Sequence, residues 1–195
     1  FEQFLYERGS STNLCESPNT TRIMNIFFLD ENPTLSAQYH VDKHVVKMIL
    51  ETAQLLCSVH HMTDQVTHKY PTSTLQVPYK LSHKNHPCAV WARQSLSNYL
   101  YLCELGLELG KEYTHRYGKR HKSIDVINWC IINKPNIPDI GFTTPAMAMP
   151  DEFKVDSVVE SYRNYYMGAK ISLASWKNRE KPFWFGKKEL DLQYD

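Results

Sequence analysis

Apolar and polar positions divide the chain into four helical stretches separated by proline-bearing segments, with no alternating run long enough to form a strand. The stretch Thr34–Ser58 departs from the usual amphipathic pattern. Laid out at about 100° per residue, His40, His44, Lys47, Glu51, Gln54 and Ser58 form a polar stripe roughly 80° wide. Val41, Val45, Met48, Ile49, Leu55, Leu56 and Cys57, with other apolar residues, cover most of the remaining circumference. A helix that is apolar on most sides is buried, so its stripe faces either a strip of solvent or an internal cleft. Solvated stripes are usually built from Lys, Glu and Gln. Two imidazoles, an amine and a carboxylate are the groups that move protons and act as nucleophiles, which favours the cleft.

The other stretches are more ordinary. Met24–Leu29 (MNIFFL) reads as a short extended segment entering the core, and Asp30–Pro33 turns the chain into the central helix, with Thr34 or Ser36 as N-cap. After His60-His61 the segment to Lys84 is a long loop that carries Pro71 and Pro78. A second helix over Pro87–Tyr117 begins at Asn85 or His86 and ends at Gly118 in the C-cap place. A third spans Ser123–Asn133, an apolar crossing follows over Ile140–Pro150, and a fourth helix covers Asp156–Asn178. Residues 1–23 are rich in Ser, Thr, Asn and Pro without a period, and the first methionine is Met24, so they read as an extension or leader. The expectation is an all-α fold, a compact single-domain helical bundle over residues 24–195 with long irregular loops and an extended N-terminal segment.

Composition narrows the function only slightly. The 195 residues are 42% hydrophobic, enough for one substantial core. Lys plus Arg (22) nearly equals Asp plus Glu (21), so any argument for nucleic acid must be local. Five cysteines without CxxC spacing read as core residues in a reducing compartment. With no membrane-spanning run and no signal peptide, the expected setting is the cytoplasm.

Three constellations carry candidate chemistry. His40 and His44, one helical turn apart, are weak candidates to share a metal ion, although the HExxH glutamate is replaced by Val41. Lys47 and Glu51 form an i,i+4 pair, in which desolvation in a cleft lowers a lysine's pKa toward a nucleophilic value while the carboxylate moves protons. Cations interleave with aromatics in YRNYYMGAK and WKNREKPFWFGKK, as on surfaces that hold single-stranded or distorted nucleic acid. An aromatic core helix with a solvated basic tail reads the same residues equally well.

In order along Met24–Lys188, these pieces resemble the phage endonuclease V family of pyrimidine-dimer DNA glycosylases. The matching pieces are Ala37-Gln38-Tyr39-His40, Asn85-His86-Pro87, Glu112–Lys119, Met149-Pro150-Asp151-Glu152-Phe153 and Lys181-Pro182-Phe183-Trp184-Phe185-Gly186-Lys187. The chain also resembles phage reading frames of the MNIFxLD…DKHVVKMxLE type. The family resemblance implies a small all-helical enzyme whose N-terminal α-amine attacks the sugar C1′ to give a Schiff base, assisted by a helix glutamate, with strand cleavage by β-elimination. The chain departs from it at two points. Residues precede Met24, and Lys47 occupies the place closest to the family's glutamate, with Glu51 one turn later.

On this reading Lys47 is the nucleophile, Glu51 the acid/base, and His40 and His44 further catalytic groups. DNA contacts would come from His83, Asn85, His86, Arg116, Lys119, Arg163, Lys170, Trp184, Lys187 and Lys188, with no cofactor and no membrane partner. Two other readings stand beside it: a different enzyme acting on a nucleotide or small metabolite in the same cleft, metal-assisted through His40, His44 and His86, and a nucleic-acid-binding module without catalysis.

Overall fold

Asn32 opens the helical part of the chain. Its side chain accepts from the amides of Thr34 and Leu35, and Pro33 follows at the first helical position, where the missing N–H costs nothing. Neither Thr34 nor Ser36 is the cap. Ser36 instead takes the Leu29 amide at 3.2 Å and so binds the segment that precedes this first helix. The computed structural model describes residues 24–63 and 76–186, and among these the chain is all-helical, with six α-helices packed together and no strand.

The helices are α1 (Pro33–Tyr39), α2 (Asp42–Thr63), α3 (Pro87–Gln94), α4 (Leu96–Tyr117), α5 (Ser123–Ile132) and α6 (Val158–Ala169), with 3-10 turns at Asp151–Phe153 and Ile171–Leu173. Helix α2 is the hub, packing against α3, α4 and α5. Gly106 and Gly110 on α4 make the close approach possible: a Cβ on Gly106 would sit 2.8 Å from both Ile127 and Thr52, and one on Gly110 would sit 2.2 Å from Ile124. Met24–Leu29 is a buried, non-helical segment, not evenly extended as expected because Phe27 takes a left-handed φ of 43°, and its Phe27 ring stacks on His44 of α2 and contacts Tyr162, Tyr165 and Tyr166 of α6. Among the described residues no helix is long and apolar enough to cross a membrane.

Three of the expected helices are shorter or divided. The central one breaks at His40-Val41, where His40 turns extended (ψ 134°) and two carbonyls, Gln38 and His40, are taken by Arg116 at 2.9 and 2.8 Å. The second breaks at Ser95, also extended, because Asp139 receives the Ser95 hydroxyl, the Ser97 hydroxyl and the Ser97 amide, and so caps α4 from another part of the chain. The last ends at Ala169, after which Trp176 donates to the Tyr39 carbonyl and the Lys177 amide donates to Asp42. Local signals fare better. Gly118 caps α4 in the left-handed region (φ 64°), and His86 with Pro87 starts α3.

Candidate functional site

The polar stripe of α2 faces neither bulk water nor an open cleft; it is roofed by other parts of the chain. The Asn25 amide donates to Glu51 Oε2 at 3.2 Å, the Phe27 ring lies flat on His44 with centroids 4.3 Å apart, and the Ser58 hydroxyl donates to the Ser82 carbonyl at 2.8 Å. Only Lys47 reaches well into solvent, its side chain 49% exposed, with Nζ 3.0 Å from Glu51 Oε1. The expected enclosure of the lysine in an apolar cleft is therefore absent, whereas its carboxylate partner is buried at 7% exposure.

Glu51 is held by what surrounds it. Asn25 presents its amide because its own side chain is fixed: Oδ1 accepts from the Ile26 and Phe27 amides, and Nδ2 donates to the Ala148 carbonyl at 2.8 Å. Cys88 at the start of α3 lies close by. Burial first, and then the Glu51 charge, push its thiol up to about 12. The turn leading into α3 thus borders the carboxylate. In that turn His83 and Asn85 are exposed and His86 Nδ1 caps the helix by accepting from the Cys88 amide. Burial, then His83, lowers the His86 pKa.

The two histidines of the stripe belong to the core. His40 lies outside α2, at the end of α1, fully buried, with Nδ1 2.7 Å from the Ser36 carbonyl. Its Nε2 lacks a hydrogen bond of ordinary geometry, with the Ile26 carbonyl the nearby acceptor. Burial outweighs that carbonyl environment and lowers the His40 pKa to about 4. His44 sets Nδ1 2.6 Å from the Tyr166 hydroxyl, and burial, followed by His40, Lys170 and Lys47, lowers its pKa to about 3. Both rings are neutral near pH 7. Their shared helical-turn spacing is lost at the His40 break, and among the described residues no group of three or more His, Cys, Asp and Glu side chains is placed to hold a metal ion.

The expected DNA-contact residues divide sharply. Arg116 is buried at 1% exposure and spends its guanidinium on Glu112, Asp42 and the Gln38 and His40 carbonyls. Arg163 donates to the Leu29 carbonyl and to Asp30, and lies over the rings of Tyr39, Phe183 and Trp184. Trp184 packs into the core on Tyr39 and Tyr166. These three residues hold the fold together, and none is free to meet a phosphate or a base. Lys119 is exposed, and Lys170 is half-buried with Nζ 4.7 Å from the Tyr165 ring centre. Lys187 and Lys188 lie outside the described residues.

Two partners of the site were invisible to sequence reasoning. Asn25 sits in an apolar hexapeptide, and only its Asx tendency to bond neighbouring amides could have drawn notice. Tyr166 reads as an ordinary aromatic core residue on α6. As built, the cluster places a buried carboxylate between a half-exposed amine and a main-chain nitrogen, an arrangement able to take up and return a proton at the protein surface. A half-open cavity of about 600 Å³ lies elsewhere, lined by Phe28, Tyr101, Phe142 and the start of α6, and none of Lys47, Glu51, His40 or His44 borders it. Compared with family models, curated proteins and solved structures, the chain matches none.

Proposed function

We propose that the protein acts on DNA and removes a damaged or modified base by amine chemistry at Glu51, in the manner of a glycosylase with AP lyase activity. The observation that carries this reading is the position of the Glu51 carboxylate, 3.0 Å from the Lys47 amine and 3.2 Å from the Asn25 nitrogen, at the edge of the core. Lys47, nearest to solvent, is the nucleophile. Its unprotonated amine attacks the sugar C1′, the C1′–base bond breaks, and the base leaves with a proton. A proton delivered to the ring oxygen O4′ then lets the C1′–O4′ bond break, pushed by the nitrogen lone pair, and the protonated Schiff base and a free 4′ hydroxyl result. Removal of a C2′ proton then expels the 3′ phosphate. Glu51 receives and returns these protons, and the Asn25 amide keeps the carboxylate in place.

The Asn25 nitrogen is an amide here and cannot attack. In a chain beginning at Asn25 it would be an α-amine in the same place, which gives the reaction a second possible nucleophile on the other oxygen of Glu51. Lys170 and the exposed His83-Lys84-Asn85 turn supply cations and donors for the DNA backbone.

Borohydride reduction of the protein mixed with duplexes carrying an abasic site or a damaged base tests the reading. A covalent adduct is expected, lost in Glu51→Gln. Its loss in Lys47→Ala assigns the lysine, whereas its persistence there, together with its increase in a chain starting at residue 25, assigns the α-amine. No adduct on any damaged duplex overturns the proposal.

A further inference from the structure

The cavity of about 600 Å³ has a chemistry of its own. One wall is aromatic: Phe28, Tyr101 and Phe142 cluster with ring centroids 5.2 to 6.1 Å apart, and Phe142 stays 50% exposed. That wall is built in advance rather than folded over by a mobile flap. Thr143 donates its amide to Asn98 at 2.9 Å, and its hydroxyl and carbonyl accept from Asn98 and from the Trp91 indole at 2.7 and 3.1 Å. Facing solvent at the same cavity are two carboxylates, Glu31 and Asp156, both exposed and neither with an ion pair or hydrogen bond among the described residues. No Lys, Arg or His lines the space.

This combination selects by charge. A phosphate or carboxylate ligand would meet two like charges and no donor cation. A neutral apolar ligand could use the rings but would gain nothing from the carboxylates. A cation on an apolar body uses both, through attraction to ring faces and to the carboxylates. Burial first, and then Asp30, raise the pKa of the Tyr101 hydroxyl; Asp30 is ion-paired with Arg163, and Glu104 and the cavity's own Glu31 push in the same direction.

We propose that this cavity binds an organic cation, a quaternary ammonium, protonated amine or guanidinium carried on a flat or aliphatic body. It stands apart from Glu51 and does not depend on the chemistry there. The cation could come from a free small molecule or from a basic side chain of another protein.

Calorimetric titration of the full chain tests the site, with benzyltrimethylammonium and arginine amide as cationic probes, benzyl alcohol as the neutral control, benzoate as the anionic one, and the capped peptide Gly-Arg-Gly as the protein-like source. Both small cations should bind at least about tenfold more tightly than benzyl alcohol, and benzoate should not bind. Phe142→Ala, and separately Glu31→Gln with Asp156→Asn, should each weaken cation binding about tenfold. All three positions are exposed, and unchanged circular dichroism checks that the fold persists. Tighter binding of the peptide than of arginine amide assigns a partner's side chain, and the reverse assigns a small molecule. Benzyl alcohol binding as well as the cations, cation binding undiminished in the variants, or no cation binding at low millimolar concentration each overturns the proposal.

Discussion

Helix α2 carries two acidic residues held in opposite ways. At its first turn Asp42 belongs to a closed network: Arg116 donates to it at 2.9 Å, as do the Ser175 hydroxyl and the Lys177 amide, while Arg116 and Arg179 together grip Glu112. Every strong group there has a protein partner, and the network ties α1, α2, α4 and the 175–179 segment together. Two turns further on, Glu51 has one neutral amide and one amine that stands half in water. Buried charges with all partners internal hold a structure. A buried carboxylate whose cationic partner stands half in water is open to a group arriving from outside.

The largest break in this comparison should come from Arg116→Met. It leaves Glu112 and Asp42 short of a cation and the Gln38 and His40 carbonyls without a donor, and a loss of about 3–5 kcal/mol is expected in urea unfolding. Acid should act next. His40 and His44 have folded pKa values lowered from 6.5 to about 4 and about 3, so both are neutral in the folded state and bind protons more readily once unfolded. Their contribution is intact above pH 6.5 and is lost as pH falls toward 4, by on the order of a few kcal/mol, with a shallower slope in His44→Gln. At lower pH the closed network adds its own loss. Although burial opposes it, hydrogen bonds from Ser175, Lys177 and Arg116 keep Asp42 below the ordinary carboxylate range, and Arg179 and Arg116 do the same for Glu112; protonating either removes that stabilisation.

Glu51→Gln should cost about 1 kcal/mol, since the amide oxygen can still accept from Asn25, yet abolish adduct formation. Lys47→Ala should cost less than about 1 kcal/mol, because the lysine stands half in water and the Asn25 amide still serves the buried Glu51 carboxylate. A large stability loss in Lys47→Ala would remove the distinction between the two carboxylates.

The all-helical architecture was legible because its signals are local. Pro87 at a helix start, Gly118 at a helix end and the apolar coverage of α2 need no distant partner. The breaks at His40 and Ser95 were not legible, for neither carries Pro or Gly; each is made by a side chain far along the chain, Arg116 in one case and Asp139 in the other. The same limit applied to the site. The Lys47–Glu51 spacing was readable from the helix, but Asn25 reaches Glu51 from 26 residues away. Arg116 and Trp184 carry the composition of a DNA surface, and only packing distinguishes a guanidinium facing a phosphate from one wrapped in carbonyls.

Phe27 adopts φ 43°, a backbone region that a bulky side chain occupies only when its surroundings insist. Two residues before it, Asn25 meets Glu51; one residue after it, Phe28 forms part of the cavity wall. One bend thus sets the reach of both neighbours: the direction the chain takes at Phe27 brings a backbone nitrogen to the buried carboxylate and turns the next ring onto the cavity wall.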